Sequence, residues 1–252
     1  MSRFFDPQTG NYWRYDNGQW WSYSYSAENA IRALELAGWS AERRSHYGDA
    51  LQHLRAAEKL TNRQRNPKEW ARIQNAIANL LLQQGHYPEA ENIWRQVIET
   101  RVVELGPEDP DTLRSRTALA ATMDAQGKSA EAEAENREIV GMDEKLLGAD
   151  DPDTIASRNN LAEVLRKEGK YSEAEAEYHD VINREEKVLG PDHPDTLRSR
   201  LGLAECLLRQ DKIQEGKEVA ARVVDGARKV CGAEHPLTKA AEKLHDDLQG
   251  KK

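Results

Sequence analysis

The chain has few cysteines, few phenylalanines and no long apolar run. Of its 252 residues, two are cysteine and two are phenylalanine. Two cysteines are too few for a disulfide framework, and we expect Cys206 and Cys231 to be buried, reduced thiols. The first residues contain no apolar signal core, and nowhere do about 18 apolar residues follow one another. We therefore expect a cytoplasmic protein whose contacts with a membrane are at most peripheral.

The sequence also lacks the common motifs of catalysis. It contains no glycine-rich phosphate-binding loop, no HExxH or CxxC metal motif and no GxSxG nucleophile turn. Its seven histidines are scattered along the chain. The Glu-rich stretch at 131–135 is more typical of a solvated helix face than of a cation site. We predict that the protein is not an enzyme and binds no cofactor and no metal ion.

The formal net charge of −8 is unevenly distributed. Residues 1–66 carry nine Lys and Arg against seven Asp and Glu, whereas residues 67–252 carry 27 against 37. An acidic surface repels the phosphate backbone of nucleic acids. We therefore predict that the larger, acidic part of the chain has no nucleic-acid partner.

A nine-residue phrase recurs at a fixed interval. It reads LGPEDPDTL at 105–113, LGADDPDTI at 147–155 and LGPDHPDTL at 189–197. A shorter, more divergent copy, CGAEHP, follows at 231–236. The glycines of the four copies are 42 residues apart. A second marker has the same interval, and its members are Gly85, Gly127, Gly169 and, in place of a glycine, Asp211. Such recurrence indicates an array of structural repeats.

The residues of each marker are typical of helix boundaries. Glycine at 106, 148 and 190 suits the left-handed position just after a helix. Asn66, Asp109 and Asp151 each precede a proline, which predicts a capping side chain before the first helical residue. His193 and His235 occupy the same place as poorer caps. His193 also lies beside two aspartates, but its equivalents are plain caps, so we favour a structural role over a catalytic one.

Each repeat is thus predicted to be a helix A, a short turn and a helix B, for example Asp153–Glu168 followed by Ser172–Val188. Such pairs bury their apolar faces only by stacking on neighbours. The predicted fold is an all-α, right-handed solenoid with a concave surface. We predict an aromatic β module at 1–26, an irregular first helix pair at 27–66 (helices at 27–39 and 43–63), four repeats at 67–232, and a capping helix and tail at 233–252.

The recurring phrase and its 42-residue interval resemble the kinesin-light-chain type of tetratricopeptide repeat. Among small members of that family, the chain is similar to the bacterial kinesin light chains that accompany bacterial tubulin filaments. The resemblance implies a non-enzymatic adaptor that binds a filament and anchors it to a membrane or another partner. The alternative is a general scaffold of bacterial signalling or defence that binds a peptide segment in its groove.

In this fold the A helices line the concave groove, which predicts the residues of a binding site. Asparagine amides there would bind the backbone of an extended peptide, because each offers both a donor and an acceptor. Arginines at one repeat position would bind acidic side chains or a carboxylate, or else would only neutralise neighbouring acidic residues. The predicted groove residues are Arg72, Asn75, Asn79, Arg114, Thr117, Asn159, Glu163, Arg166, Arg198 and Glu205.

Nine of the sixteen aromatic residues lie in the first 25 positions. The turn sequences DPQTG at 6–10 and DNG at 16–18 separate short aromatic segments, which predicts a three-stranded sheet. In its spacing the segment resembles small WW-like modules. Its rings are predicted to pack on the first helices, or else to stay exposed and bind a proline-rich peptide, a protein partner or a lipid interface, and the two roles are compatible. The predicted aromatic surface comprises Tyr12, Trp13, Tyr15, Trp20, Trp21 and Tyr23.

Overall fold

The computed structural model of the protein describes residues 3–6, 11–16, 19–24 and 47–250, with side chains over 48–250. The chain divides into two compact units, Met1–Thr122 and Met123–Lys252. The boundary falls within a helix, and each unit is described by itself below.

The first unit contains three short strands and the first helices. Strands β1 and β2 are antiparallel, as are β2 and β3, and Asp16 lies opposite Gln19 in the second pair. Helices α1 and α2 are in contact, and so are α2 and α3. The elements are β1 (Arg3–Asp6), β2 (Asn11–Asp16), β3 (Gln19–Ser24), α1 (Tyr47–Glu58), α2 (Pro67–Gln83), α3 (Tyr87–Glu104) and α4 (Pro110–Ala125), which crosses into the second unit.

The second unit is a stack of helices that each contact the next along the chain. The first helices of successive pairs also touch, α6 with α8 and α8 with α10. The predicted architecture of paired helices is confirmed over residues 47–250. The helices are α5 (Ser129–Leu146), α6 (Pro152–Lys167), α7 (Tyr171–Val188), α8 (Pro194–Arg209), α9 (Ile213–Val230) and α10 (Pro236–Gln249).

Most of the A helices begin as predicted. Asp109 Oδ1 accepts a hydrogen bond from the Asp111 N–H and Asp151 Oδ1 accepts one from the Asp153 N–H, both at 2.9 Å. The caps at His193 and His235 are also confirmed, since each Nδ1 accepts from the backbone N–H two residues later, at 3.3 Å and 3.2 Å. These bonds satisfy N–H groups that have no partner within the helix.

Asn66 departs from this pattern, and the prediction that its side chain caps α2 is wrong. Its Oδ1 accepts instead from the backbone N–H of Asn62, at 2.6 Å, and makes no cap hydrogen bond. The turn before α2 is itself closed by hydrogen bonds, because Asn62 Oδ1 accepts from the backbone N–H groups of Gln64 and Arg65. Short polar side chains often bond a nearby turn in preference to a helix end.

The chain leaves its helices through left-handed residues. Gly106, Gly148 and Gly190 have φ of 102°, 91° and 96°, as predicted. In the tight turns inside the pairs, the glycines at 85, 127 and 169 all have φ of 79°. Asp211 adopts φ 62° in the fourth such turn. A side chain at this φ is strained, so the backbone geometry of the repeat overrides the preference of this residue.

In three of the four long loops, a threonine hydroxyl joins the loop to the helix that follows it, whereas the buried hydroxyl of the equivalent Thr154 has no hydrogen-bond partner among the described residues. The hydroxyls of Thr112, Thr196 and Thr238 donate to the carbonyls of the glycines six residues earlier, at 2.8 to 3.0 Å. These threonines are fully buried. The bonds hold the end of one helix B against the start of the next helix A, where the clefts described below are found.

Small residues recur at buried positions of the helices. Alanines at 78, 120, 162 and 204 are fully buried, and so are those at 90, 132 and 174. Cys206 is buried as predicted, whereas Cys231 is only half-buried because it lies at the end of α9. Part of the predicted first helix pair, 27–39, lies outside the described residues. Of the predicted helix 43–63, α1 covers Tyr47–Glu58.

Candidate functional site

A cleft of about 370 Å³ opens in the first unit, between the first turns of α2, the end of α3 and the start of α4. Arg101 extends across it from α3. The Arg101 guanidinium donates from Nη1 to the Asp111 carbonyl and to Ser115 Oγ, both at 2.6 Å. Burial lowers the pKa of Arg101, and the nearby Asp111 partly offsets this effect. The residues that define this first cleft are Lys68, Arg72, Arg101, Glu104, Leu105 and Asp111.

A second cleft, of about 340 Å³, occupies the same repeat position in the second unit. It lies between the first turns of α6, the end of α7 and the start of α8. Its residues correspond to those of the first cleft two repeats earlier: Ala156 to Arg72, Glu185 to Arg101, and Leu189 to Leu105. The residues that define this second cleft are Ala156, Asn159, Glu185, Val188, Leu189, Asp195 and Arg198.

Arg101 lines the first cleft and Glu185 lines the second, and the residue at this repeat position, which we call the floor residue, differs from repeat to repeat. It is Arg101, Asp143, Glu185 and Ala227 in successive copies, and the facing residue on the next helix is Ser115, Ser157, Ser199 and Ala241. Ser157 Oγ donates to Asp143 Oδ2 at 2.6 Å, and Ala227 and Ala241 are both fully buried. A charged floor residue thus faces a serine, and an apolar one faces an alanine.

Burial controls the ionisation of the acidic floor residues. The pKa of Asp143 is raised by burial, an effect that the hydrogen bond from Ser157 opposes. The pKa of Glu185 is likewise raised, first by burial and then by the charge of Asp195, against a hydrogen bond from Ser199. Burial disfavours the ionised form of both carboxyl groups, as expected for acidic groups in a low-dielectric environment.

Apolar side chains are exposed at the ends of the B helices. In the second unit these are Leu146 and Leu147, then Val188 and Leu189, then Val230, and each is 40–48% exposed. Val188 and Leu189 also line the second cleft. Exposed apolar residues that recur in this way are typical of interaction surfaces.

The model of one family, "Tetratricopeptide repeat", matches residues 71–145 and 153–229, which is more than half of the chain. The chain belongs to the tetratricopeptide repeat family. No curated protein sequence matches it.

Solved tetratricopeptide structures share this fold at low sequence identity. A Podosopora anserina protein named after kinesin light chain, with nearly identical TPR-like repeats, is 23% identical, with a TM-score of 0.69 over 82% of this chain and 98% of its own. BtubC (BKLC) from P. vanneervenii is 16% identical, with a TM-score of 0.61 over 90% and 87%. NprR in complex with its cognate peptide NprX is 14% identical, with a TM-score of 0.63 over 91% and 65%.

Two of the predicted groove residues, Asn159 and Arg198, line the second cleft, and Arg72 lines the first. Asn75 and Asn79 are half-buried on α2. The Thr117 hydroxyl donates to the carbonyl of Leu113 at 3.1 Å. The predicted set is therefore divided between different environments, and its role as a binding site remains a prediction.

The arginines at the recurring position pair with acidic residues of their own helices. Arg114 pairs with Asp111, while Arg72 lies 3.2 Å from Glu69 and Arg198 lies 2.7 Å from Asp195. Each pair joins residues three apart, and the pairs of Arg114 and Arg198 are largely exposed, so each of these two contributes about 0–1 kcal/mol to stability. A ligand would compete with these weak pairs at little cost.

Arg166 lies in a stronger network between α6 and α8. It contacts Glu163 at 2.6 Å and Glu205 at 2.7 Å, and the Tyr178 hydroxyl donates to Glu163 Oε2 at 3.0 Å. Burial raises the pKa of Glu163, but Arg166 and Tyr178 outweigh it and lower the pKa overall. Hydrogen bonding to Glu163 raises the pKa of Arg166. These three predicted groove residues therefore bind one another across the helix interface.

Glu185 was not among the predicted site residues, because these were drawn from the A helices alone and Glu185 lies on a B helix. The change from Arg101 to Asp143 to Glu185 at one repeat position was the signal that would have found it. The side chains of the predicted aromatic surface, from Tyr12 to Tyr23, lie outside those described. Over residues 47–250, no helix has the length and apolar composition needed to cross a bilayer. The described residues contain no group of three or more His, Cys, Asp or Glu arranged to hold a metal ion.

Proposed function

We propose that this tetratricopeptide protein is a non-enzymatic scaffold that binds an extended segment of a partner protein. The observation that carries the proposal is the second cleft, where half-buried Asn159, exposed Arg198 and the exposed apolar pair Val188 and Leu189 meet. Such a surface combines hydrogen-bonding groups with apolar contact area. Protein surfaces that bind extended peptides typically combine these two features.

The polar side chains fit the backbone of an extended chain. Asn75, Asn79 and Asn159 each present a donor and an acceptor on an A helix, which is what a peptide group requires. Arg114 and Arg198 add positive charge and pair with Asp111 and Asp195 at exposed positions, and Arg72 adds positive charge beside Glu69. The complex of NprR with its cognate peptide supports this mode of binding, because that protein has the same fold.

The proposal is tested by selecting binding peptides from a random displayed library and measuring their dissociation constants by fluorescence polarisation. Asn75→Ala, Asn79→Ala and Asn159→Ala combined should weaken binding at least tenfold without lowering the melting temperature. Asn92→Ala with Asn183→Ala is the matched control, since both residues are exposed on B helices. Selected peptides that bind the triple variant with undiminished affinity would place the binding surface elsewhere.

A second, finer function is a link between a bacterial tubulin-like filament and another partner or a membrane. The structural similarity to BtubC (BKLC) favours it. The aromatic segment 1–26, with Trp20 and Trp21 in β3, would supply a second contact surface as a WW-like module. Co-sedimentation with polymerised bacterial tubulin tests this function. The intact chain should pellet with the polymer, Trp20→Ala with Trp21→Ala should pellet less, and recovery of the intact chain in the supernatant would reject the link.

A further inference from the structure

Glu185 is a buried carboxylate with an unused oxygen in the second cleft. The residue is 4% exposed. Among the described residues, its Oε2 has no hydrogen-bond partner. The facing Ser199 hydroxyl donates to Asn159 Oδ1 at 3.1 Å, so it is shared between two acceptors. A buried acceptor without a partner is costly, and a ligand that supplies a donor would remove that cost.

The first cleft contains the chemical group that the second cleft lacks. There, the guanidinium of Arg101 lies against the Asp111 carbonyl and the Ser115 hydroxyl. The repeat equivalents of these two partners in the second unit are Asp195 and Ser199. The space between helices at this repeat position therefore accommodates a cationic group in one copy, while the other copy has a carboxylate there.

The charges around the second cleft leave an excess of negative charge. Arg198 is engaged with Asp195, with Nη1 and Oδ1 2.7 Å apart, and no other cationic residue lines the cleft. Arg198 lowers the pKa of Glu185 only weakly, after the larger effects of burial and Asp195, so Glu185 has no ion-pair partner among the residues that define the cleft. Val188 and Leu189 form an apolar wall beside it, which suits the aliphatic part of a long basic side chain.

We infer that the second cleft binds a lysine or arginine side chain of the partner segment, with the cationic group against Glu185 Oε2. This inference rests on the proposed function and names the ligand chemistry at one of its contacts. Asn159 lies at the same cleft and would bind the neighbouring peptide group. The first cleft would not share this preference, because Arg101 already occupies the corresponding place.

The test uses the full chain and two blocked pentapeptides, one with a single central arginine among glycines and one with citrulline in its place. Citrulline has nearly the same shape as arginine and no charge. Dissociation constants are measured by ¹⁵N NMR from the side-chain amides of Asn159 and Asn160, which line the cleft. We expect the arginine peptide to bind about tenfold more tightly, which corresponds to about 1.4 kcal/mol.

Glu185→Gln keeps the shape of the side chain and should reduce the ratio of the two dissociation constants to about one. Asp143→Asn is the matched control, since it removes a buried floor carboxylate that Ser157 already satisfies, and it should leave the ratio unchanged. Circular dichroism checks that both variants are folded. Equal binding of the two peptides by the unaltered chain, a preference that survives Glu185→Gln, or its loss in Asp143→Asn would each overturn the inference.

The two levels of the hypothesis fail in different ways. If library-selected segments bind and depend on the three asparagines while arginine shows no advantage over citrulline, the inference falls and the scaffold function stands. If the library gives no binding segment, the scaffold function itself is rejected, and the inference that rests on it falls as well.

Discussion

Tyr178 of α7 lies directly against the backbone of Gly202 on α8. A Cβ atom built at residue 202 would be 2.5 Å from the tyrosine hydroxyl oxygen and 2.8 Å from Cε1. The glycine is thus required by its neighbour, although it lies within a helix, where glycine is normally destabilising. The contact lets Tyr178 reach Glu163, whose carboxylate accepts its hydroxyl hydrogen bond.

Gly202→Ala should therefore destabilise the protein, by roughly 1–3 kcal/mol, because the methyl group must displace a buried ring. Urea denaturation measures the change. Gly141→Ala is the matched control: residue 141 is an exposed helical glycine with open space around it, and alanine there should stabilise by about 0.5–1 kcal/mol. In a Tyr178→Ala background the cost of Gly202→Ala should largely vanish, and an unchanged cost would show that the ring is not its cause.

Because Asp211 adopts a left-handed conformation, replacing it with glycine should stabilise the folded protein. With φ of 62° Asp211 carries strain that the glycines at 85, 127 and 169 avoid. Asp211→Gly should raise the free energy of unfolding by about 1 kcal/mol. Gly169→Ala should lower it by a similar amount, since it introduces a side chain at φ of 79°. A destabilising Asp211→Gly would contradict the assignment of strain.

Two arginines of the predicted groove should respond very differently to substitution. Arg166, 24% exposed, is bound by Glu163 and Glu205, whereas Arg114, 64% exposed, pairs only with Asp111 among the pairs described. Arg166→Met should cost roughly 1–3 kcal/mol because it leaves two neighbouring carboxylates without their cation. Arg114→Met should change stability by less than about 0.5 kcal/mol. Thermal melts of both variants check the contrast.

The cost of Arg166→Met should also depend on pH. Because the folded state lowers the pKa of Glu163 below its ordinary value of 4.5, this carboxylate stabilises the fold above pH 4.5 and loses that contribution as the pH falls. The difference between the variant and the unaltered chain should therefore be largest near neutral pH and shrink in acid. A difference that is constant with pH would argue for lost packing alone.

Asp143 should have the opposite effect on the pH dependence. Its pKa is raised by burial above the ordinary 3.8, so the folded state binds a proton more tightly than the unfolded state does. Stability should fall as the pH rises above 3.8, and this loss should be complete once the folded-state pKa is passed. Asp143→Asn should raise the melting temperature at pH 7 and leave it nearly unchanged at pH 3. Equal shifts at both pH values would exclude a titration effect.

Helix boundaries were the most predictable part of the structure. The glycines at 106, 148 and 190 and the caps at Asp109 and Asp151 act through local backbone geometry, which the sequence specifies directly. Asn66 was mispredicted because a competing donor, the backbone N–H of Asn62, lies in the preceding turn. A capping residue followed by proline does not indicate whether a nearby backbone N–H competes for the side chain of the capping residue.

The candidate site was predictable only in part. The A-helix positions of Asn159 and Arg198 followed from the repeat, and both residues line the second cleft. The network of Glu163, Arg166 and Glu205 joins residues about 40 positions apart, so the spacing within one helix could not reveal it. Glu185 required a comparison of B helices across copies, since one copy alone shows only an acidic residue near a helix end.

The floor residue changes from arginine to aspartate, glutamate and alanine, while the glycine, proline and threonine that shape the surrounding turns stay nearly constant. The residues that fix the backbone conformation of each repeat are thus different from the floor residue and the residue that faces it. Under the proposed function, two facing side chains would set the chemical preference of a repeat while its backbone stays the same.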